Sequence, residues 1–324
     1  MRLFLVRHGE TVDNVAGVYA GSRDSDLTNH GYLQATRLGE YFKSEAVKFT
    51  HIFSSQLKRA VKTARLIRDA QPTSIEIRQT PLIMEQDFGF YEGKHVFARP
   101  QKGNPVSGKE AHRTLHKDDE GFVDIESKEA VALRADAFLN EHLLPVMEEN
   151  NAIAVVSHGI MLSALWRRLL QRLPAKSVMI HPEVIAVHGQ LDLERPGGWS
   201  NTGYLELDMS LSASCVTAGP LPAPINAIVE ANLPEEEIVA LAPPFAADKS
   251  TVGESSSGSG TRCVPIAKST SSDQSFTAWT TMIRAVNHKA HLNNLKRTRG
   301  GVGSSRHDEK QKSINSFFKK QKRE

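Results

Sequence analysis

Cysteine is nearly absent from this chain: there are two in 324 residues, Cys215 and Cys263, far apart and in polar surroundings. That excludes a disulfide framework and a thiolate metal cluster, and it fits a reducing compartment. Long apolar runs are missing too. No stretch approaches the roughly 20 residues of a membrane span, and the four-residue apolar run near the start is too short for a secretory signal core. No membrane contact is expected. With hydrophobic residues at 40% and aromatics at 6%, one good core is affordable but a wholly globular chain of this length is not. Three histidines in a polar stretch, His95, His112 and His116, have no metal-ligand spacing, so no metal and no cofactor is expected.

Charge is unevenly placed. Residues 284–324 hold twelve Lys or Arg against three acids, a net of +9, which leaves −6 for the rest of a chain whose total is +3. A mildly acidic body with a strongly basic tail suggests an interaction or targeting segment.

What is present begins at once. Leu3-Phe4-Leu5-Val6 reads as a short buried strand that runs into Arg7-His8-Gly9-Glu10-Thr11, with Asn14 three residues on. In open α/β sheets ligands bind outside such strand ends. Arginine offers a planar fork of donors suited to phosphate, and a neutral imidazole can act as a nucleophile. A polar loop, 15–26, leads to Thr28, a cap for a helix over about 30–43. His51-Ile52-Phe53 is the next strand. Ser54-Ser55 follows, then a helix carrying Leu57, Ala60, Val61 and Ala64 inward, Arg59 in its first turn, and Lys58 and Lys62 toward solvent. A strand is expected over 75–78. Glu85 follows three apolar residues and precedes the glycine-rich Phe88-Gly89…Glu92-Gly93, a placement suited to a pocket edge.

The polar, irregular stretch 94–124 reads as a substrate-covering insertion, and 130–147 as a long amphipathic helix. Ala152 to Val156 is the strongest strand of the chain. It leads into Ser157-His158-Gly159 and a helix with Leu162, Leu165 and Leu169, repeating the opening logic of strand, histidine, glycine. Two strand-end histidines of one sheet can converge on one phosphate. Residues 184–187 and 204–207 are later strand candidates, and 198–203 is a polar turn that could line the same pocket. Beyond that, 219–246 is rich in Pro and Ala and 254–275 in Ser, Gly and Thr. Such composition does not offset chain entropy, so 211–324 is expected to be mostly disordered, with 276–286 able to dock locally.

The set Arg7-His8-Gly9-Glu10-Thr11…Asn14, Leu27-Thr28…Gly31, Ser54-Ser55…Leu57…Arg59-Ala60…Thr63-Ala64, Glu85…Phe88-Gly89…Glu92-Gly93 and Ser157-His158-Gly159 resembles the histidine phosphatase superfamily, in its phosphoglycerate-mutase-like branch. The resemblance implies a three-layer α/β/α sandwich around a mostly parallel sheet, occupying about 1–210, ahead of a disordered basic tail, 211–324. It implies His8 as the nucleophile that becomes a phosphohistidine. Arg7, Arg59, His158 and Asn14 would bind the phosphoryl oxygens, with His158 counted also among the catalytic groups. Glu85 would be the acid that protonates the leaving oxygen. Glycolytic mutases of the family usually place a tryptophan just before the asparagine, where this chain has Val12-Asp13. The expected activity is therefore that of a metal-independent phosphoric monoester hydrolase acting on a phosphorylated small molecule or a phosphoprotein. A phosphoglycerate mutase and an inactive scaffold subunit of a nuclear complex are the alternatives.

Near the end, Gln311-Lys312-Ser313-Ile314-Asn315-Ser316-Phe317-Phe318 resembles a PIP box, the peptide that binds the sliding clamp, proliferating cell nuclear antigen. A single 3₁₀ turn would set Ile314 and Phe317 on one side with Phe318 beside them, and Gln311 would reach a polar pocket. The flanking lysines suit an acidic clamp surface. With basic clusters at 296–299 and 319–323, a nuclear and cytoplasmic location is expected. Direct nucleic-acid binding is not.

Overall fold

The computed structural model describes residues 1–95, 113–114, 116–211, 276, 279–297 and 299–308. The expected strand at the start is β1, Arg2–Arg7. It precedes a short helix α1, Val12–Ala16, and then α2, Asn29–Ser44, which starts where Thr28 accepts a hydrogen bond from the Gly31 amide at 2.9 Å. Next come β2, His51–Ser55; α3, Lys58–Asp69; and β3, Ile77–Thr80. Helix α4, Lys128–Phe138, leads to β4, Ala152–Ser157, and α5, Gly159–Arg172. Strand β5, Val178–Ile180, helix α6, Pro182–His188, and strands β6, Tyr204–Leu211, and β7, Trp279–His288, complete the set.

The strands form one seven-stranded sheet in the order β3-β2-β4-β1-β6-β7-β5. β1 and β2 both run parallel to β4, β3 runs parallel to β2, and β5 runs parallel to β7. β6 is antiparallel to both β1 and β7, so it alone is reversed and the sheet is mostly parallel. β1 and β4 are apolar without alternation because both faces are covered. Leu3, Leu5, Ile153 and Val155 pack toward Phe138 of α4 and Leu165 and Trp166 of α5. Phe4, Val6, Ala154 and Val156 pack toward Leu38 and Phe42 of α2 and Ala60, Ala64 and Ile67 of α3. These two cores make the expected α/β/α layering.

Three expectations are corrected. Residues 184–187 are not a strand but lie in α6, where Pro182 occupies the first turn and the His181 ring accepts from the Glu183 amide. Lys62 does not face open solvent: it pairs with the buried Asp26 at 3.3 Å. The third concerns the tail. β7 covers the stretch expected to dock locally, and it does so as a full strand between β6 and β5, so the fold does not stop near 210. Beyond β7 the chain forms a strap back across the body. The Ser305 carbonyl accepts from the Asn29 amide and the His307 amide donates to the Leu27 carbonyl, each at 2.9 Å. The His307 ring stacks on Tyr32 with centroids 3.8 Å apart. Arg306 pairs with Asp26, and Arg297, from the basic cluster at 296–299, pairs with Glu10. Residues 311–318 and 319–323 lie outside the described residues, as do Cys215, Cys263 and His112.

Candidate active site

Register builds the site. Arg7 pairs with Ser157 across the parallel β1 and β4, so the next residue on each strand, His8 and His158, emerges side by side at the carboxyl edge of the sheet. Their ring centroids are 5.0 Å apart, about one inter-strand spacing. Both are buried, His8 at 4% and His158 at 0% exposure. Their hydrogen bonds assign opposite tautomers. The His8 Nδ1 lies 2.7 Å from the Gly9 carbonyl, which can only accept, so Nδ1 carries the hydrogen and Nε2 keeps its lone pair. The His158 Nδ1 receives the Arg59 Nε–H at 3.1 Å, so its Nε2 donates to the Ser55 hydroxyl at 2.9 Å. Burial, then Arg59 and Arg7, hold His8 well below the ordinary imidazole range. Burial, then Arg59, His8 and Arg7, do the same for His158. Both rings are neutral near pH 7.

The two arginines are held differently. Arg7 donates through Nη1 to the Trp199 carbonyl at 2.5 Å, while its Nε is buried without a protein acceptor. Arg59, 1% exposed, sits in the first turn of α3. Besides the bond to His158, it donates to the carbonyls of Arg23 at 2.7 Å, Ala20 at 2.9 Å and Gly21 at 2.8 Å. Burial pushes its pKa down to about 10, opposed by Glu85, Asp24 and Glu92. The amides of the same loop face the other way. Those of Gly21, Ser22 and Arg23 donate to the Glu92 carboxylate, which also takes the Phe88 amide at 2.9 Å. Loop 20–23 is thus stretched between a guanidinium on its carbonyls and a carboxylate on its amides.

Glu85 stands at the amino end of α5, next to His158. Its carboxylate accepts from the amides of Ile160 at 3.2 Å, Met161 at 3.0 Å and Gln86 at 3.0 Å. It is a charge partner of Arg7 and Arg59. Arg134 of α4 fixes the segment behind it, donating to the carbonyls of Leu82, Met84 and Glu85. Asn14 forms a reciprocal cap with Thr11. Its Oδ1 also accepts from Asn201 Nδ2 at 3.1 Å, which leaves its own Nδ2 as a donor. Asn201 further donates to the His8 carbonyl at 3.2 Å. The polar turn 198–203 therefore borders the site, as its sequence suggests, through Trp199 and Asn201.

All six of His8, His158, Arg7, Arg59, Asn14 and Glu85 fall in one neighbourhood. Sequence reasoning named no role at the site for Ser55, Gln34, Glu92 or Arg134, and placed Arg297 only in a basic targeting cluster. Ser55 and Glu92 stand within recognisable motifs. Arg134 and Arg297 carry no local signal for these contacts, since the Met84 carbonyl and Glu10 lie 50 and 287 residues away. Of the insertion, the described part shows His95 bridging to Val18 and His116 paired with Asp119 at 2.8 Å.

A family model for the histidine phosphatase superfamily, branch 1, matches residues 3–188. This chain belongs to that superfamily. It is 34% identical over 220 residues to a probable phosphatase of Schizosaccharomyces pombe, covering 65% of this chain and 66%, just under two thirds, of that one. A broad-specificity phosphatase of Saccharomyces cerevisiae is 27% identical, with 57% of this chain and 75% of its own length aligned. A probable phosphoglycerate mutase of Enterobacter sp. is 34% identical, at 52% and 75% coverage.

Proposed function

We propose that the chain is a metal-independent phosphomonoesterase working through a phosphohistidine at His8. The observation that carries this is the tautomer of His8: a neutral, buried ring whose Nδ1–H is committed to Gly9, so that Nε2 presents a lone pair beside two guanidinium groups. In the first step Nε2 attacks phosphorus, the bond from phosphorus to the ester oxygen breaks, and Glu85 in its acid form gives that oxygen a proton. In the second step water attacks phosphorus, Glu85 takes a proton from the water, the phosphorus–nitrogen bond breaks with its electron pair returning to Nε2, and inorganic phosphate leaves. Most of the acceleration in phosphoryl transfer comes from positioning and charge stabilisation. Arg7, with a buried Nε that has no protein acceptor, and the Asn14 amide would serve the phosphoryl oxygens directly. Arg59 has four N–H groups on protein acceptors, so it contributes charge and one remaining donor. His158 contributes from beside the nucleophile. The phosphatase names of two relatives support hydrolysis as the reaction, and the substrate class is a phosphomonoester of a small molecule or a protein.

The test is hydrolysis of an aryl phosphate by wild type and His8→Ala, with chelator present, together with alkaline quenching to trap an acid-labile, base-stable phosphoenzyme. Chelator-resistant turnover and a trapped phosphoenzyme, both lost in the variant, are expected. Normal turnover by His8→Ala would refute the mechanism. We further propose that Gln311, Ile314, Phe317 and Phe318 tether the enzyme to the sliding clamp, which would bring it to the nucleus for part of its life.

A further inference from the structure

The hydrogen bond that selects the His8 tautomer is made by a peptide group, and that group has a second end. A peptide unit is planar, with its carbonyl and N–H pointing in opposite directions. The carbonyl of the Gly9–Glu10 peptide accepts from His8 Nδ1 at 2.7 Å. The N–H of the same unit, on Glu10, donates to Gln34 Oε1 at 2.9 Å. Gln34 is 7% exposed and lies on α2, six residues past the Thr28 cap. Few other orientations are open to this peptide. Gly9 and Gly31 are in close approach: a Cβ on Gly9 would come within 2.6 Å of the Gly31 carbonyl oxygen, and one on Gly31 within 2.0 Å of the Glu10 oxygen. The Glu10 side chain is pinned on its own account, by the Thr28 hydroxyl at 2.9 Å and by Arg297.

We propose that Gln34 is a positioning residue for His8, acting through the Gly9–Glu10 peptide to keep the lone pair on Nε2. The logic follows from what rotation of the peptide would do. Turned over, it would present an N–H to His8 Nδ1. Nδ1 would then have to accept, the hydrogen would move to Nε2, and the nitrogen facing the phosphorus would lose its lone pair. Gln34 opposes that rotation because the turned peptide would leave its Oε1 without the Glu10 amide and would bury a carbonyl against it. An acceptor on α2 thus decides which ring nitrogen of a residue on β1 is nucleophilic. The mechanistic consequence rests on the phosphohistidine proposal above; the tautomer itself does not.

The experiment compares Gln34→Met, which keeps length and removes the acceptor, with Gln34→Glu, which keeps an oxygen acceptor. All measurements are made below the lowest melting temperature of the set. The ¹⁵N resonances of the ring, assigned by their loss in His8→Ala, report which nitrogen carries the hydrogen. Wild type and Gln34→Glu are expected to show Nδ1–H, and Gln34→Met to show a mixed or reversed population. On an aryl phosphate, Gln34→Met should lose about 10²-fold in kcat, the scale of a misplaced reacting group, with KM within about 2-fold. Gln34→Glu should retain most of kcat. A wild-type ring spectrum in Gln34→Met would overturn the proposal, and so would equal loss of kcat in both variants. If wild type hydrolyses nothing, the phosphatase assignment fails, and the ring spectra still decide the role of Gln34.

Discussion

Acidification should unfold this protein through its buried histidines before its carboxylates titrate. His8 and His158 are held well below their ordinary value of 6.5, and His291 is pushed down to about 4, each chiefly by burial. In the unfolded chain all three bind a proton near pH 6.5, while in the folded chain they do not. Between the unfolded and folded pKa values the unfolded state therefore holds more protons, and stability falls as pH falls. The contribution is fully present above pH 6.5 and is lost downward from there. For one such group, lowering the pH from 7 to 5 costs about 2 kcal/mol. For three it is about 6 kcal/mol, against a typical total of about 5–15 kcal/mol. Urea unfolding followed by tryptophan fluorescence, at half-unit steps from pH 7 to 5, measures this. His8→Gln should flatten the profile by about one third. A wild-type loss below about 2 kcal/mol, or a His8→Gln profile parallel to wild type, would show that the two site histidines are not buried neutral.

Other outcomes follow from packing and charge. Glu92→Leu leaves the amides of loop 20–23 without their acceptor, so Arg59 loses a fixed set of carbonyls; hydrolysis should fall by about 10²-fold, measurable by steady-state kinetics, with a lower melting temperature. Phe138→Ala, in the core against Phe53, should cost about 3–5 kcal/mol in urea unfolding without changing KM. Phe317→Ala combined with Phe318→Ala should abolish calorimetric binding to the sliding clamp and leave hydrolysis intact; unchanged clamp affinity would exclude the tether.

Much of the site was legible because it sits where local pattern is strongest. Uninterrupted apolar runs at 3–6 and 152–156 suit strands covered on both faces, and each leads, one residue on, into a histidine followed by glycine. Their adjacency, which the resemblance implies, is the register Arg7 to Ser157 in three dimensions. The failures are equally physical. Val184-Ile185-Ala186-Val187 is too short for periodicity to separate strand from helix, and Pro182 in the first helical turn decides it. β7 has the alternation of a half-buried strand, with Trp279, Thr281, Ile283 and Ala285 inward, but it follows the Ser-, Gly- and Thr-rich stretch 254–275, which hides its extent. The charge asymmetry was visible and its destination was not: Arg297 and Arg306 neutralise Glu10 and Asp26 of the same chain, a pairing fixed only by the path of the strap.

That path also sets an order of completion during synthesis. Glu10 is made 287 residues before Arg297, the cation it pairs with. At about 5–20 residues per second, the interval is on the order of 15–60 s. β1 meanwhile waits for both of its neighbours, β4 and β6, so its two apolar faces and unpaired edges stay open on the ribosome. The loop behind His8 is the first part of the site to be translated and among the last to be finished. A nascent chain released before the strap would carry every residue of the candidate site, with Glu10 still lacking its cation.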